Sequence, residues 1–294
     1  MTMIRTIGAR TFDFDRQVAV MAVINRTPDS FYDRGATFVL DRAVESSLQA
    51  LDDGADWLDI GGVPFGRGPA VSTEEEIDRV APVIRAIMAE RPDAVISVDT
   101  NRAAVARAAI EAGAAVVNDT SGLGDDDMAG VIASGNAHVV ITHSVGPPRV
   151  EKPAAHFDDV VGEVRQFLVD RVERAENAGI SRDKIVIDPG HDLDKNTLHT
   201  LEITRRLDEI ASIGLPLLAA VSNKDFIGES LNRPQGERLP GSLAAMTACV
   251  MRGARILRMH DVIAAVDAAR MCEAIMGWRQ PAYLEHNMHP THNV

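Results

Sequence analysis

The stretch Val18-Ala19-Val20-Met21-Ala22-Val23-Ile24-Asn25-Arg26-Thr27-Pro28-Asp29-Ser30-Phe31 decides the fold. An unbroken apolar run, 18–24, stops at an asparagine. Thr27-Pro28-Asp29-Ser30 cannot prolong a strand, because proline fixes φ and carries no N–H. A strand buried on both faces, with a polar side chain at its C-terminal end and then a loop, is how parallel α/β proteins place functional groups.

The arrangement recurs along the chain. Strands are read at 18–24, 57–60, 94–98, 115–117, 138–141, 184–187, 216–221 and 254–257. Helical periodicity fills the intervals at 38–52, from 72/73, 101–112, 126–134, 157–178, 197–211, 240–252 and 261–276. Glu74 to Glu76 suit the first turn of the second helix, behind a cap at Ser72 or Thr73. Gly54, Gly113, Gly135, Gly179, Gly214 and Gly253 stand where helices turn back into strands. Residues 1–17 read as a hairpin turning at Gly8-Ala9 and plugging a barrel bottom. Eight alternations predict an α/β protein, a single (β/α)8 TIM barrel over 18–276 with a short N-terminal β-hairpin. The polar tail 277–294 is expected to fray. An open doubly wound sheet competes, but no Gly-x-Gly-x-x-Gly follows the first strand.

Composition narrows the function. The chain has 294 residues, 46% hydrophobic and only 4% aromatic, so its core is aliphatic. A net charge of −13 disfavours nonspecific contact with nucleic acid or an anionic membrane. Cys249 and Cys272 lie in apolar helical patterns and read as buried free thiols. Residues 1–17 hold no apolar signal region, and no apolar run spans a membrane, so a cytoplasmic location is expected.

In a barrel the strand C-termini meet on one face. Here they bring Asn25, Asp59, Asp99, Asn118, His143, Asp188, Lys224, Arg258 and His260. Each has an ordinary alternative: Asp59 can orient the Gly61-Gly62 loop, Asp99 can cap a helix, and Asp188 precedes a Pro-Gly turn. Together they form a polar ring that is costly to bury without a ligand or mutual pairing. Asp99, Asn118 and Asp188 are acceptors for a heterocycle rich in N–H groups. Lys224, Arg258 and His260 are donors for an anion such as phosphate or pyrophosphate.

The ordered set Asn25-x-Thr27-Pro28-Asp29-Ser30-Phe31, Asp59-Ile60-Gly61-Gly62, Ser97-Val98-Asp99-Thr100, Val117-Asn118-Asp119, Ile187-Asp188-Pro189-Gly190, Lys195-Asn196, Ser222-Asn223-Lys224, Glu237-Arg238-Leu239 with Gly241-Ser242-Leu243-Ala244, and Arg258-Met259-His260-Asp261 resembles the dihydropteroate synthase family over nearly the whole chain. The resemblance implies a TIM barrel. It implies a transferase that joins 6-hydroxymethyl-7,8-dihydropterin pyrophosphate to p-aminobenzoate in folate biosynthesis. By matching motif, Asp99, Asn118, Asp188 and Lys224 would hold the pterin. Asn25, Arg67, Arg258 and His260 would hold pyrophosphate, with Mg2+ at Asn25. Asn25, Lys224, Arg258 and His260 would carry the catalytic work. Family members commonly dimerise through late helices, so a homodimer is expected.

The departures are local. Glu-Ser-Thr-Arg-Pro-Gly of the family's second loop reads Val63-Pro64-Phe65-Gly66-Arg67-Gly68, with Arg67 one position late. Ser-Arg-Lys-Ser reads Ser222-Asn223-Lys224-Asp225, which removes a cation and adds an anion beside the lysine. Phe-Gly-Phe-Gly-Lys reads His191-Asp192-Leu193-Asp194-Lys195, and Met-His-Met reads Thr142-His143-Ser144. Arg26 adds a cation in the first loop. These changes resemble the divergent second homologue of actinobacteria, regarded as lacking synthase activity. They imply a pterin-binding barrel with weak or no synthase activity. The alternatives are a non-catalytic pterin or folate binder, or a methyltetrahydrofolate-type methyl transfer protein.

Other residues have plainer readings. His191, Asp192 and Asp194 are weighed as a catalytic or metal cluster, and His286, His289 and His292 as surface histidines. Trp57 and Trp278 read as packing residues.

Overall fold

The computed structural model describes residues 2–25, 35–63, 69–146, 150 and 155–287. Arg26, Arg67, His289 and His292 lie outside the described residues, as does the side chain of Asn25. The chain opens with an antiparallel hairpin, β1 (Ile4–Ile7) and β2 (Arg10–Asp13). The barrel then runs β3 (Ala19–Asn25), α1 (Gly35–Asp52), β4 (Trp57–Gly61), α2 (Thr73–Glu90), β5 (Val95–Asp99), α3 (Ala103–Ala112), β6 (Val116–Asp119), α4 (Met128–Ser134), β7 (His138–Thr142) and α5 (Val160–Asn177). It closes with β8 (Ile185–Asp188), α6 (Thr197–Arg205), α7 (Leu207–Ala211), β9 (Leu217–Ala219), α8 (Asp225–Leu231), α9 (Leu239–Met251), β10 (Ala254–Met259) and α10 (Val262–Ile275). All eight barrel strands are parallel, and β10 pairs with β3 to close the sheet.

Strand alternation divides the core in two. Val20, Leu58, Ile96, Val117, Ile141, Ile187, Ala219 and Leu257 face the helices. Ala19, Met21, Trp57, Val95, Val116, Val140, Val186, Leu218 and Ile256 fill the lumen with Ile7, Phe12 and Phe14 of the hairpin. Phe12 and Phe14 stack at 5.7 Å, and Trp57 meets them edge-on. Full burial of each ring is worth about 1.5–3 kcal/mol. The hairpin thus plugs the N-terminal end of the barrel, and Trp57 packs as expected.

A buried ion cluster locks the same end. The Asp56 carboxylate accepts from Arg10 at 2.9 Å, Arg270 at 3.0 Å and the Val20 amide at 3.0 Å. Glu273 accepts from Arg270, Arg279 and the Val18 amide at 2.8–2.9 Å. First and last elements are thereby tied through two carboxylates that water barely reaches.

Some boundaries differ from the sequence reading. The helix expected over 197–211 breaks at Arg206, whose ψ is 26°. The seventh barrel strand shortens to Leu217–Ala219, and a helix, α8, follows it where none was expected. Only Phe226, Ile227 and Gly228 of α8 are buried, too few for a periodic signal. Gly135 ends α4 with φ of −80°, and its neighbour Asn136 takes the left-handed turn at φ 57°. Trp278, in the stretch expected to fray, lies under Arg255 at 4.6 Å, and Arg279 is held by Glu273. Both cysteines are buried and free. No described helix is long and apolar enough to cross a membrane.

Asp56→Ala removes three interactions and leaves the Arg270 guanidinium only Glu273 and the Val18 carbonyl. It is expected to lower unfolding stability by about 3 kcal/mol in urea titrations; a loss under about 1 kcal/mol would show that the cluster does not lock the barrel.

Candidate functional site

The lumen turns polar two residues above its apolar layer. Asp59 follows Trp57 on the inward face, Ser97 and Asp99 follow Val95, Asn118 follows Val116, Thr142 follows Val140, Asp188 follows Val186, and Arg258 follows Ile256. The register sets Asp99 beside Asn118 and Thr142 beside Asp188. Strand geometry alone therefore brings Asp99, Asn118, Asp188 and Arg258 to one mouth.

Asp59 is the hub, and its side chain is 0% exposed. Its Oδ2 accepts from Arg258 Nε at 2.6 Å and from Asn118 Nδ2 at 3.1 Å. Arg258 Nη2 reaches Asp99 Oδ2 at 3.0 Å. Asp99 keeps 27% of its side chain exposed, so it is the carboxylate that an incoming molecule can touch. Burial, and then the Asp59 charge, push the Asp99 carboxyl upward against the pull of Arg258. Asp59 Oδ1, Asn118 Oδ1, Ser97 Oγ and Thr142 Oγ1 are buried without hydrogen-bond partners. Such atoms are rare unless water or a ligand completes them.

The next wall is built on β8. Asp188 Oδ1 accepts from the Gly190 amide at 2.7 Å, and the Asp188 carbonyl from the His143 amide at 3.0 Å. Burial pushes the Asp188 carboxyl up to about 6, against the Gly190 amide, Lys224, Lys195 and Arg258. Gly190 has φ of +68°, and a Cβ there would stand 2.1 Å from the His143 carbonyl oxygen, so only glycine fits. Lys195 donates to the carbonyls of Gly190 and Leu193 at 2.9 Å and of His143 at 3.4 Å. It pins the loop, although burial lowers its amine to about 7.

His191, Asp192 and Asp194, weighed in sequence as a catalytic or metal cluster, have separate duties. Asp192 accepts from the Phe226 amide and Thr200, and Asp194 accepts from the Val145 amide. These are loop fastenings. His191 is fully buried with both ring nitrogens unpartnered, and burial, with Lys195 and Lys224 nearby, lowers it to about 3. No group of three metal-ligating side chains occurs among the described residues. His143 packs edge-on against Phe167 at 4.7 Å, and burial lowers it to about 3.

Lys224 caps the N-terminus of α8, directly after Asn223 at φ 58°. Burial, then Arg258, lower its amine, while Asp192, Asp188 and Asp99 oppose them. The added anion does not neutralise this lysine. Asp225 turns outward to Arg238 at 2.9 Å and is 86% exposed. Arg238 also bonds the Asn223 carbonyl at 3.1 Å, so this segment is braced from outside. His260 Nδ1 lies 2.9 Å from Ser222 Oγ. Burial, then Arg258 and Lys224, lower its ring.

The second loop is described only at its ends. Arg79 donates to the Gly62 carbonyl and Arg102 to the Val71 carbonyl, both at 2.8 Å. Arg102 and Thr100 are in turn held by the buried Glu76. A Cβ on Gly62 would meet Val80 at 2.9 Å, which explains the second glycine of Gly61-Gly62.

Asp99, Asn118, Asp188 and Arg258 thus lie at strand ends around one mouth, Lys224 and His260 follow the ends of neighbouring strands, and the Asn25 backbone is paired beside Gly61. The sequence reading underrated Asp59 as a loop-orienting residue and missed Ser97 and Thr142. The two-residue spacing from Trp57, Val95 and Val140 was the signal for all three.

The family model described as pterin binding enzyme matches residues 21–260. The protein named "Inactive dihydropteroate synthase 2" in Mycobacterium leprae is 42% identical over 272 residues, covering 91% of this chain and 93% of that one. The dihydropteroate synthase of Escherichia coli K12 is 38% identical over 262 residues, covering 89% and 93%. The solved dihydropteroate synthase of Xanthomonas albilineans with 4-aminobenzoic acid superposes with a TM-score of 0.87 at 38% identity, covering 94% of this chain and 99% of that one. With the barrel and its strand-end residues in agreement, the chain belongs to the dihydropteroate synthase family.

Proposed function

We propose that this barrel binds a pterin at its mouth and is a divergent family member with weak or no synthase activity. The observation that carries the reading is the acceptor wall of Asp99, Asn118 and Asp188 above buried unpartnered oxygens. A pterin edge is rich in N–H donors and matches that wall; Lys224 would donate to its carbonyl. On the opposite side Asn25, Arg258 and His260 would hold pyrophosphate, with Arg67 a candidate fourth group.

Condensation breaks the C–O bond between methylene and pyrophosphate, forms a C–N bond from the arylamine, and releases one proton. Arg258, Lys224 and His260 would stabilise charge on the leaving group. Mg2+ suits a site where one protein oxygen, from Asn25, is completed by phosphate oxygens, because this ion favours such mixed shells. Bound there, it would neutralise the leaving group.

Weak activity is argued from the second-substrate side. The loop 63–68 lacks the family's Ser-Thr-Arg, and Leu193 stands where an aromatic wall is usual. Asn223 replaces a cation. Each lost charge-assisted contact costs about 1.5–3 kcal/mol, or ten- to a hundredfold in affinity. A cytoplasmic location accords with the absence of any membrane-length apolar helix among the described residues. A homodimer is proposed through α10, where Ile263, Met271 and Ile275 are each more than half exposed on one face, interrupted only by Asp267.

Three outcomes are expected. Calorimetry should show plain pterin binding, weakened about ten- to a hundredfold by Asp188→Ala. Ionised Asp99 and Asp188 are the better acceptors, so affinity holds above about 7 and falls as pH drops through about 7 and then about 6. The fall approaches tenfold per pH unit for one proton; a flat profile from pH 5 to 8 removes Asp188 from the site. Incubation with the pterin pyrophosphate, p-aminobenzoate and Mg2+ should give little or no dihydropteroate, and turnover matching an ordinary synthase would overturn the divergent reading. Light scattering should give a dimer that Met271→Glu with Ile275→Glu dissociates.

A further inference from the structure

Arg258 is bound from two directions by residues of unequal accessibility. Its Nε is held at 2.6 Å by Asp59, which is 0% exposed and also engaged by Asn118. Its Nη2 is held at 3.0 Å by Asp99, which is 27% exposed. Nothing entering the mouth can compete for the Asp59 oxygen without dismantling the lumen. A ligand presenting N–H groups to both Asp99 oxygens competes with Arg258 for Oδ2. Arg258 itself is 18% exposed. Its guanidinium therefore has one fixed edge and one exchangeable edge.

We propose that Asp59 is a positioning residue that makes Arg258 a pivot: a donor-rich heterocycle takes Asp99, and the released edge of the guanidinium turns to an anion. The two halves of the site then bind cooperatively, and reciprocally. Without the heterocycle, an anion must break the Arg258–Asp99 pair before it can use the guanidinium. With the heterocycle bound, that pair is already open. Asp59 keeps the arginine in place throughout, because a planar guanidinium can hold one carboxylate by Nε while presenting its other nitrogens elsewhere. Asn118 Nδ2 holds the same Asp59 oxygen at 3.1 Å.

This inference rests on the proposed pterin site and adds a coupling that the site alone does not require. The test measures the dissociation constant of inorganic pyrophosphate at fixed Mg2+, with and without saturating plain pterin, on the full chain. The expected result is at least a fivefold tightening by pterin. In Asp59→Asn, which keeps the shape and a partner for Asn118, the tightening should fall toward onefold while plain pterin still binds. Arg258→Lys, which lacks the planar fork, should also lose the coupling, and it serves if Asp59→Asn does not fold. A purely structural Asp59 would lower the melting temperature and leave the coupling ratio intact, which overturns the assignment. Independent binding by the unsubstituted chain, with pterin bound but pyrophosphate affinity unchanged, also overturns it. Failure of pterin to bind at all sinks the underlying site reading instead.

Discussion

A guanidinium inside a barrel lumen dictates what surrounds it. Arg258 enters from the last strand, and burying its charge alone would cost several kcal/mol. Asp59 and Asp99 offset that cost from two neighbouring strands, and Asn118 holds Asp59 from a third. Strands β4, β5, β6 and β10 are thereby joined across the lumen by one polar network as well as by their ladders. The network also leaves oxygens that no group among the described residues completes, as a site built for a ligand would.

The two ends of the barrel solve opposite problems. At the N-terminal end every charge of the Asp56–Arg270–Glu273 cluster is matched, and the hairpin aromatics exclude water. That end supplies stability. At the C-terminal end burial pushes the Asp188 carboxyl up to about 6 and the Lys195 amine down to about 7, and several buried oxygens lack a partner among the described residues. Ligand chemistry needs such unsatisfied groups, and the rigid lower layer makes them tolerable.

The departures from ordinary synthases differ in consequence once placed in space. Asp225 looks harmful in sequence, yet it faces outward to Arg238 and leaves Lys224 to the lumen. His191 replaces an aromatic ring with another planar ring and stays buried, so packing survives while hydrogen bonding does not. Arg79 holds the Gly62 carbonyl and Arg102 the Val71 carbonyl, so the described backbone on either side of 64–68 is anchored.

Periodicity and strand-end chemistry determined the barrel, its hairpin plug and the ring of acceptors and donors, and the resemblance of the ordered motifs pointed to the family. Those features are local: alternation, turn residues and motif order are written in consecutive positions. The roles of Asp59, Ser97 and Thr142 were not legible, although the inward parity was present, because a polar residue after an apolar run can equally orient its own loop. The fastening duties of Asp192 and Asp194, the outward turn of Asp225 and the pinning by Lys195 belong to the same category. Each depends on which backbone or side-chain group arrives within 3.5 Å. Strand register and helix docking set that distance, and only the assembled fold fixes them.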